Sequence, residues 1–193
     1  MARRRRASKI EIVFETHSTT TDNERWVASG WLDGQLSPLG RRQAKELGER
    51  REDDELVAVF CSDLARAVET AQIAFGGRGL PIFHDWRLRE CNYGELNGAP
   101  VAEIDEAGRV GRIDEPFAGG ESYRQVVERT RKFLNDLFPE LDGSRVLLIA
   151  HSANRWALQH LLLGAPLEEV VGAPFDWQEG WEYALPGELP VQG

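Results

Sequence analysis

Residues 145–163 read RVLLIAHSANRWALQHLLL, and the way this stretch divides sets the fold. RVLLIA is a short apolar run suited to a strand buried on both faces of a parallel sheet. SANRWALQHLLLG then reads as a helix. His151 sits at the junction, and the backbone N–H groups of Ser152 and Ala153 stand free at the helix start, where an anion is favoured.

The same grammar recurs upstream. KIEIVF (9–14) reads as a strand and leads to His17. Residues 38–51, PLGRRQAKELGERR, read as a helix with Ser37 as N-cap and Pro38 at its first position. LVAVFC (56–61) is a second doubly buried strand. SDLARAVETAQIAF follows as a helix capped by Ser62 or Asp63, and PIFHD is a short strand. Residues 121–138 carry Val126, Val127, Phe133, Leu134, Leu137 and Phe138 at helical spacing. Strands alternating with helices predict an α/β domain, a three-layer α/β/α sandwich around a mostly parallel sheet. Residues 98–120, rich in Gly and charge, read as a loop with one short helix, a candidate lid. The expected organisation is a basic tail over 1–8, solvated and disordered, and one domain over 9–193.

Composition bounds the function. The 193 residues are 41% hydrophobic and 28% charged, with a net charge of −9, so a nucleic-acid backbone is not an expected general partner. The apolar runs are too short for a membrane span, and the basic start has no signal-peptide core behind it. Cys61 and Cys91 form neither a disulfide framework nor a zinc motif, so a reduced, cytoplasmic protein is the inference.

Ligands of open parallel sheets bind beyond the carboxyl ends of the strands. His17, Ser62 and His151 each lie just past such an end, and Arg66 lies in the first turns of a helix rising from the same edge. The expected site is therefore an anion pocket holding two imidazoles.

These blocks resemble the histidine phosphatase superfamily, the phosphoglycerate mutase-like fold. The family opens with a strand and Arg-His-Gly-Glu-Thr, then an Asn three residues on; here the stretch is Thr16-His17-Ser18-Thr19-Thr20-Thr21-Asp22-Asn23. GWLDGQLSPLGRRQA, SDLARAVETA, LRECNYGELNG, GGESYRQVVER and VLLIAHSANRWAL follow in the family's order. The resemblance implies phosphoryl transfer without metal or cofactor. His17 is then the nucleophile. Arg66 and His151 hold the equatorial oxygens, and Asn23 and the backbone at Ser152 add hydrogen bonds. Glu90 protonates the leaving oxygen and then deprotonates water. His17 has to be neutral at its attacking nitrogen, with the other ring nitrogen donating to backbone.

The departure is Thr16, where the family places arginine; Ser18 replaces its glycine. A hydrogen bond to a charged group is worth ~1.5–3 kcal/mol, so the loss is expected to cost ten- to a hundredfold. Thr16 still offers a hydroxyl to the phosphate. Arg155, one turn after His151, is a candidate for restoring the charge, as are Arg25 and Arg89; the alternative is that all three face solvent. Glu90 has the alternative of a loop carboxylate paired with Arg87 or Arg89. His84 and His160 are read as structural. Trp26, Trp31, Trp177 and Trp181 are expected to pack in the core or on the surface, with the pocket rim as the alternative.

Three functions remain open: hydrolysis of a small phosphate monoester, which the compact chain favours; mutase chemistry; or an inactive or weak relative that binds an anion or acts on a non-phosphate substrate. The expected partner is a small phosphorylated or anionic molecule, and a homodimer stays open.

Overall fold

The computed structural model describes residues 9–106, 108–187 and 189. The expected tail over 1–8 lies outside them. Five strands form the central sheet: β1 (Lys9–Thr16), β3 (Leu56–Cys61), β4 (Ile82–His84), β6 (Arg145–Ala150) and β7 (Trp181–Pro186). Their order is β4-β3-β6-β1-β7, parallel throughout except for β7, which pairs antiparallel with β1. β1 runs two residues beyond the expected strand, because Thr16 continues the ladder opposite Ala150.

The alternation of side chains along the strands builds two cores. Val13, Val59, Leu147 and Ile149 pack under α2 (Pro38–Arg50) and α3 (Ala65–Phe75). Ile10, Ile12, Phe14, Val146 and Leu148 pack under α5 (Tyr123–Leu141) and α6 (Ser152–Leu163). The molecule is thus a three-layer α/β/α sandwich. Shorter elements include α1 (Thr21–Glu24), a small β2 (Val27–Ala28)–β5 (Ala99–Pro100) ribbon, α4 (Val101–Glu106), α7 (Leu167–Gly172) and 3-10 turns at Trp86–Leu88, Gly94–Leu96 and Arg109–Arg112.

Three local expectations are corrected. The helix after β3 begins at Ala65 with Leu64 as N-cap and no side-chain cap. Ser62 Oγ instead accepts from Leu64 N, and Asp63 is drawn away to Arg89 by a two-pronged ion pair at 2.7 Å. The helix expected from 121 starts at Tyr123, because Ser122 and Gln125 form a reciprocal capping box, and it runs to Leu141. Residues 98–120 are not a loose lid: Ile104, Ile113 and Phe117 are buried in the α5–α6 core and anchor the segment.

α2 lies close to the loop after β1. A Cβ on Gly40 would stand 1.9 Å from Thr19 O, so only glycine allows the approach. Gln43 on the same helix accepts from Thr19 N at 3.0 Å. The loop after β1, which bears His17, is thereby fixed by the helix behind it.

Candidate active site

His17 follows the last residue of β1, and its backbone N–H donates to Ala150 O at 3.0 Å. Ser18 N donates to Thr70 Oγ1 at 3.1 Å, and that hydroxyl donates to Arg66 O, so the loop is tied to the start of α3. His17 Nδ1 lies 2.8 Å from Ser18 O. A carbonyl only accepts, so Nδ1 carries the proton. Burial, reinforced by the Arg66 charge, pushes the ring down to about 3, and it is neutral near pH 7. Nε2 is therefore left with a free lone pair.

His151 is the N-cap of α6 and is almost fully buried. Its ring centroid lies 5.0 Å from that of His17. Arg66 Nη2 approaches His151 Nδ1 at 3.4 Å. A guanidinium only donates, so Nδ1 accepts. Burial and then the Arg66 charge hold this ring well below the ordinary imidazole range, and its one proton sits on Nε2. That Nε2 is buried with no protein partner, and His151 lines the cavity.

Arg66 is buried at the second position of α3. It donates to Leu32 O at 3.0 Å and to Gly30 O at 2.8 Å. Gly30 has φ +53°, and a Cβ there would meet Asn97 Oδ1 at 1.8 Å, so this carbonyl is aimed by a turn that needs glycine. Arg66 thus orients His151, and it is not among the residues that line the cavity.

Glu90 Oε1 accepts from Cys91 N at 2.8 Å and from Ala153 N at 3.3 Å, which seats the carboxyl on the first turn of α6. Burial raises its pKa above the ordinary carboxyl range, against the pull of the Cys91 N–H, Arg66 and the Ala153 N–H. Arg87 pairs with Asp85 and Asp136, and Arg89 with Asp63, so neither ties Glu90 down. Two groups support its backbone: Arg129, which the sequence reading missed, donates from Nη2 to Glu90 O at 2.9 Å, and Trp31, expected only to pack or to rim the pocket, donates from Nε1 to the same oxygen at 2.7 Å. Arg129 is in turn paired with Glu121, the glutamate of the GGES block, which is the signal that could have found it.

The cavity holds about 670 Å³, and Thr16, His17, Asn23, Glu90, His151 and Ser152 line it. Asn23 Oδ1 accepts from Thr20 N and Thr20 Oγ1, so the amide is held at the start of α1. Five of the six are the residues expected at the anion pocket's wall, with the acid Glu90 beside them. Arg66 stands behind the wall.

No candidate for restoring the lost charge reaches the wall. Arg155 is buried; its guanidinium lies 4.9 Å from the ring centroids of both Phe175 and Trp181 and donates to Asp176 O. Its expected role is corrected to that of a clamp on these rings. Arg25 pairs with Asp22, and Arg89 pairs with Asp63 while stacking on Trp31. The cavity wall does contain Arg50, which sequence reading passed over as an ordinary α2 residue. Arg50 and Arg51 both pair with buried Glu15. The tryptophans divide: Trp31 and Trp181 pack, whereas Trp26 and Trp177 stand exposed at the cavity. His84 lies on β4, and His160 Nδ1 bonds Ala165 O on α6's far end; neither lines the cavity. Among the described residues no group of three or more His, Cys, Asp or Glu side chains is arranged to hold a metal ion, and no helix is long and apolar enough to cross a membrane.

The carboxyl edge of a mostly parallel sheet thus carries two neutral imidazoles and a raised carboxyl around one cavity. The model of the histidine phosphatase superfamily (branch 1) matches residues 12–176, and the chain belongs to that superfamily. It is 34% identical over 171 residues to the glucosyl-3-phosphoglycerate phosphatase of Mycolicibacterium vanbaalenii, covering 81% of this chain and 76% of that protein. It is 30% identical over 164 residues to the probable phosphoglycerate mutase GpmB of Yersinia enterocolitica, with the same coverage. Among solved structures, YhfR of Bacillus stearothermophilus superposes with a TM-score of 0.80 at 29% identity over 88% of each chain. Mycobacterial glucosyl-3-phosphoglycerate phosphatase gives 0.74 at 29% identity, over 86% of this chain and 84% of that one.

Proposed function

We propose that this chain is a metal-independent phosphatase that hydrolyses a small phosphate monoester through a phosphohistidine on His17. The observation that carries it is the pairing of opposite tautomers: a bare Nε2 on His17 beside a buried, unpartnered Nε2–H on His151. The first is a nucleophile and the second a donor to a phosphoryl oxygen. In the first step His17 Nε2 forms a bond to phosphorus, the P–O ester bond breaks, and Glu90 gives its proton to the leaving alkoxide. In the second, carboxylate Glu90 takes a proton from water, which attacks phosphorus and releases His17 and inorganic phosphate. The N–H of Ser152 and the amide of Asn23 are the further donors to the phosphoryl oxygens, and Thr16 adds a hydroxyl.

Acid-labile phosphate labelling of the protein during turnover tests this reading. Labelling and turnover should both vanish in His17→Ala and should both persist in a chelator. Turnover that survives His17→Ala, or that is abolished by EDTA and restored by a divalent metal, removes it.

A second reading, a weak relative that chiefly binds its ligand, draws on one observation. The Arg66 guanidinium is spent on Gly30 O, Leu32 O and His151, and Thr16 carries no charge. His17→Ala separates the two, since a binder would lose affinity alone.

A further inference from the structure

We propose that the substrate is a small phosphate monoester whose alcohol portion carries an ammonium group, seated among Glu24, Glu46, Glu179, Trp26, Phe175 and Trp177. This rests on the phosphatase reading and specifies its substrate class.

All six residues line the cavity that holds His17 and His151. The three glutamates are exposed, and none forms an ion pair among the described residues. The cation in the wall, Arg50, is committed to Glu15. A carboxylate on the alcohol portion would meet three like charges here, whereas an ammonium group would meet three opposite ones. The same balance gives a reason for Thr16: a guanidinium in that place would repel a cationic substrate.

The aromatic residues point the same way. Trp26 and Trp177 are 76% and 56% exposed and their rings stand open at the cavity, whereas Phe175, 45% exposed, already has the Arg155 guanidinium 4.9 Å from its ring centroid. Aromatic faces beside carboxylates are the surroundings in which ammonium groups bind. Trp26 is also the one non-glycine residue with positive φ among the described residues, at +57°. Its backbone is held there by Trp26 N donating to Asn23 O at 3.1 Å and Val101 N donating to Trp26 O at 2.8 Å. A bulky residue in the left-handed region is costly, and such strain collects at functional sites. Little side-chain packing offsets that cost at this exposure, which fits a ring kept for a ligand. Phe175 is held at its post by Arg155. The buried, unpartnered Nε2 of His151 in the same cavity supplies the anchor for the phosphate end.

Phosphocholine and 3,3-dimethylbutyl phosphate have the same shape and differ by the ammonium charge; 3-phosphoglycerate carries a carboxylate instead. The kcat/KM of the wild-type protein should favour phosphocholine by about tenfold over its uncharged isostere, and by more over 3-phosphoglycerate. The same order should appear in calorimetric affinities for the His17→Ala variant, where no chemistry intervenes. In Glu46→Gln/Glu179→Gln the preference should shrink to about threefold or less, and raising the salt concentration should weaken it. Equal affinity for the isosteres, or a preference for the uncharged or anionic compound, overturns the inference. If none of the three is turned over through His17, the phosphatase reading fails while the calorimetry still decides whether the ammonium seat exists.

Discussion

His17 and His151 lie side by side as opposite tautomers, with ring centroids 5.0 Å apart and planes tilted by 55°. Each is set by a neighbour that can play one role only: Ser18 O accepts from His17, and Arg66 donates to His151. A ring nitrogen with a free lone pair and a ring N–H donor thus meet at one cavity without either ring being charged.

Both rings are held neutral by burial, so acid should destabilise the protein. His17 titrates near 3 when folded and near 6.5 when unfolded. Between these values the unfolded chain binds the extra proton, so stability is full above about pH 6.5 and is lost as the pH falls through this window. His17→Gln should make the fall shallower, by at most about 1.4 kcal/mol per pH unit. Urea unfolding at a series of pH values between 4 and 7 measures it; an unchanged slope would show that His17 is not the group responsible.

Glu90 should control the alkaline side of the rate profile. Its carboxyl is raised, so the acid form persists to higher pH than an ordinary carboxyl, and phosphorylation should slow as the pH rises through that value. Glu90→Gln should remove this limb and cost about 10²–10⁴-fold with alkyl phosphates. Aryl phosphates, whose leaving groups need less protonation, should lose much less. Equal losses for both leaving groups would argue against the acid role.

Thr16→Arg should place a guanidinium at the cavity wall beside His17. Turnover of generic phosphate monoesters should rise about ten- to a hundredfold. Turnover of an ammonium-bearing monoester should rise less, or fall. Steady-state kinetics on both substrate types measures the difference, and a uniform gain would separate Thr16 from substrate selection.

Arg66 supports the fold as well as the site. Arg66→Ala would strand the carbonyls of Gly30 and Leu32 and free the His151 ring, for a loss of about 2–4 kcal/mol. Arg66→Lys should not restore activity, because one ammonium cannot reproduce the planar fork. Chemical denaturation and kcat read the two effects separately; full rescue by lysine would reduce Arg66 to a point charge.

Trp26→Asn should trade function for stability. Asparagine tolerates the left-handed region, so relief of the backbone should add about 1 kcal/mol. Substrate affinity should drop with loss of the exposed ring. A variant that is both less stable and equally tight in binding would contradict both halves.

Features written in neighbouring residues were legible before folding. The runs LVAVFC and RVLLIA became β3 and β6 with the expected bounds, as short β-branched-rich apolar runs do in a parallel sheet, although Val57 on β3 is exposed instead of buried. Ser37 and Pro38 opened α2 as their capping chemistry requires. The order of the motif blocks brought His17, Glu90 and His151 to one cavity, with Arg66 behind it. The remaining features arose only on packing. The histidine tautomers depend on a carbonyl and a guanidinium reached through folding, the latter 85 positions away in the chain. Arg155 follows His151 by one turn, yet it turns to the rings of Phe175 and Trp181. Glu24, Glu46 and Glu179 look like ordinary solvated charges in the sequence and become one acidic rim only when α1, α2 and the segment before β7 converge. Apolar periodicity and capping are short-range signals carried by neighbouring residues. The protonation, charge balance and wall of a cavity depend on distances between residues far apart in the chain, and those exist only once the layers have packed.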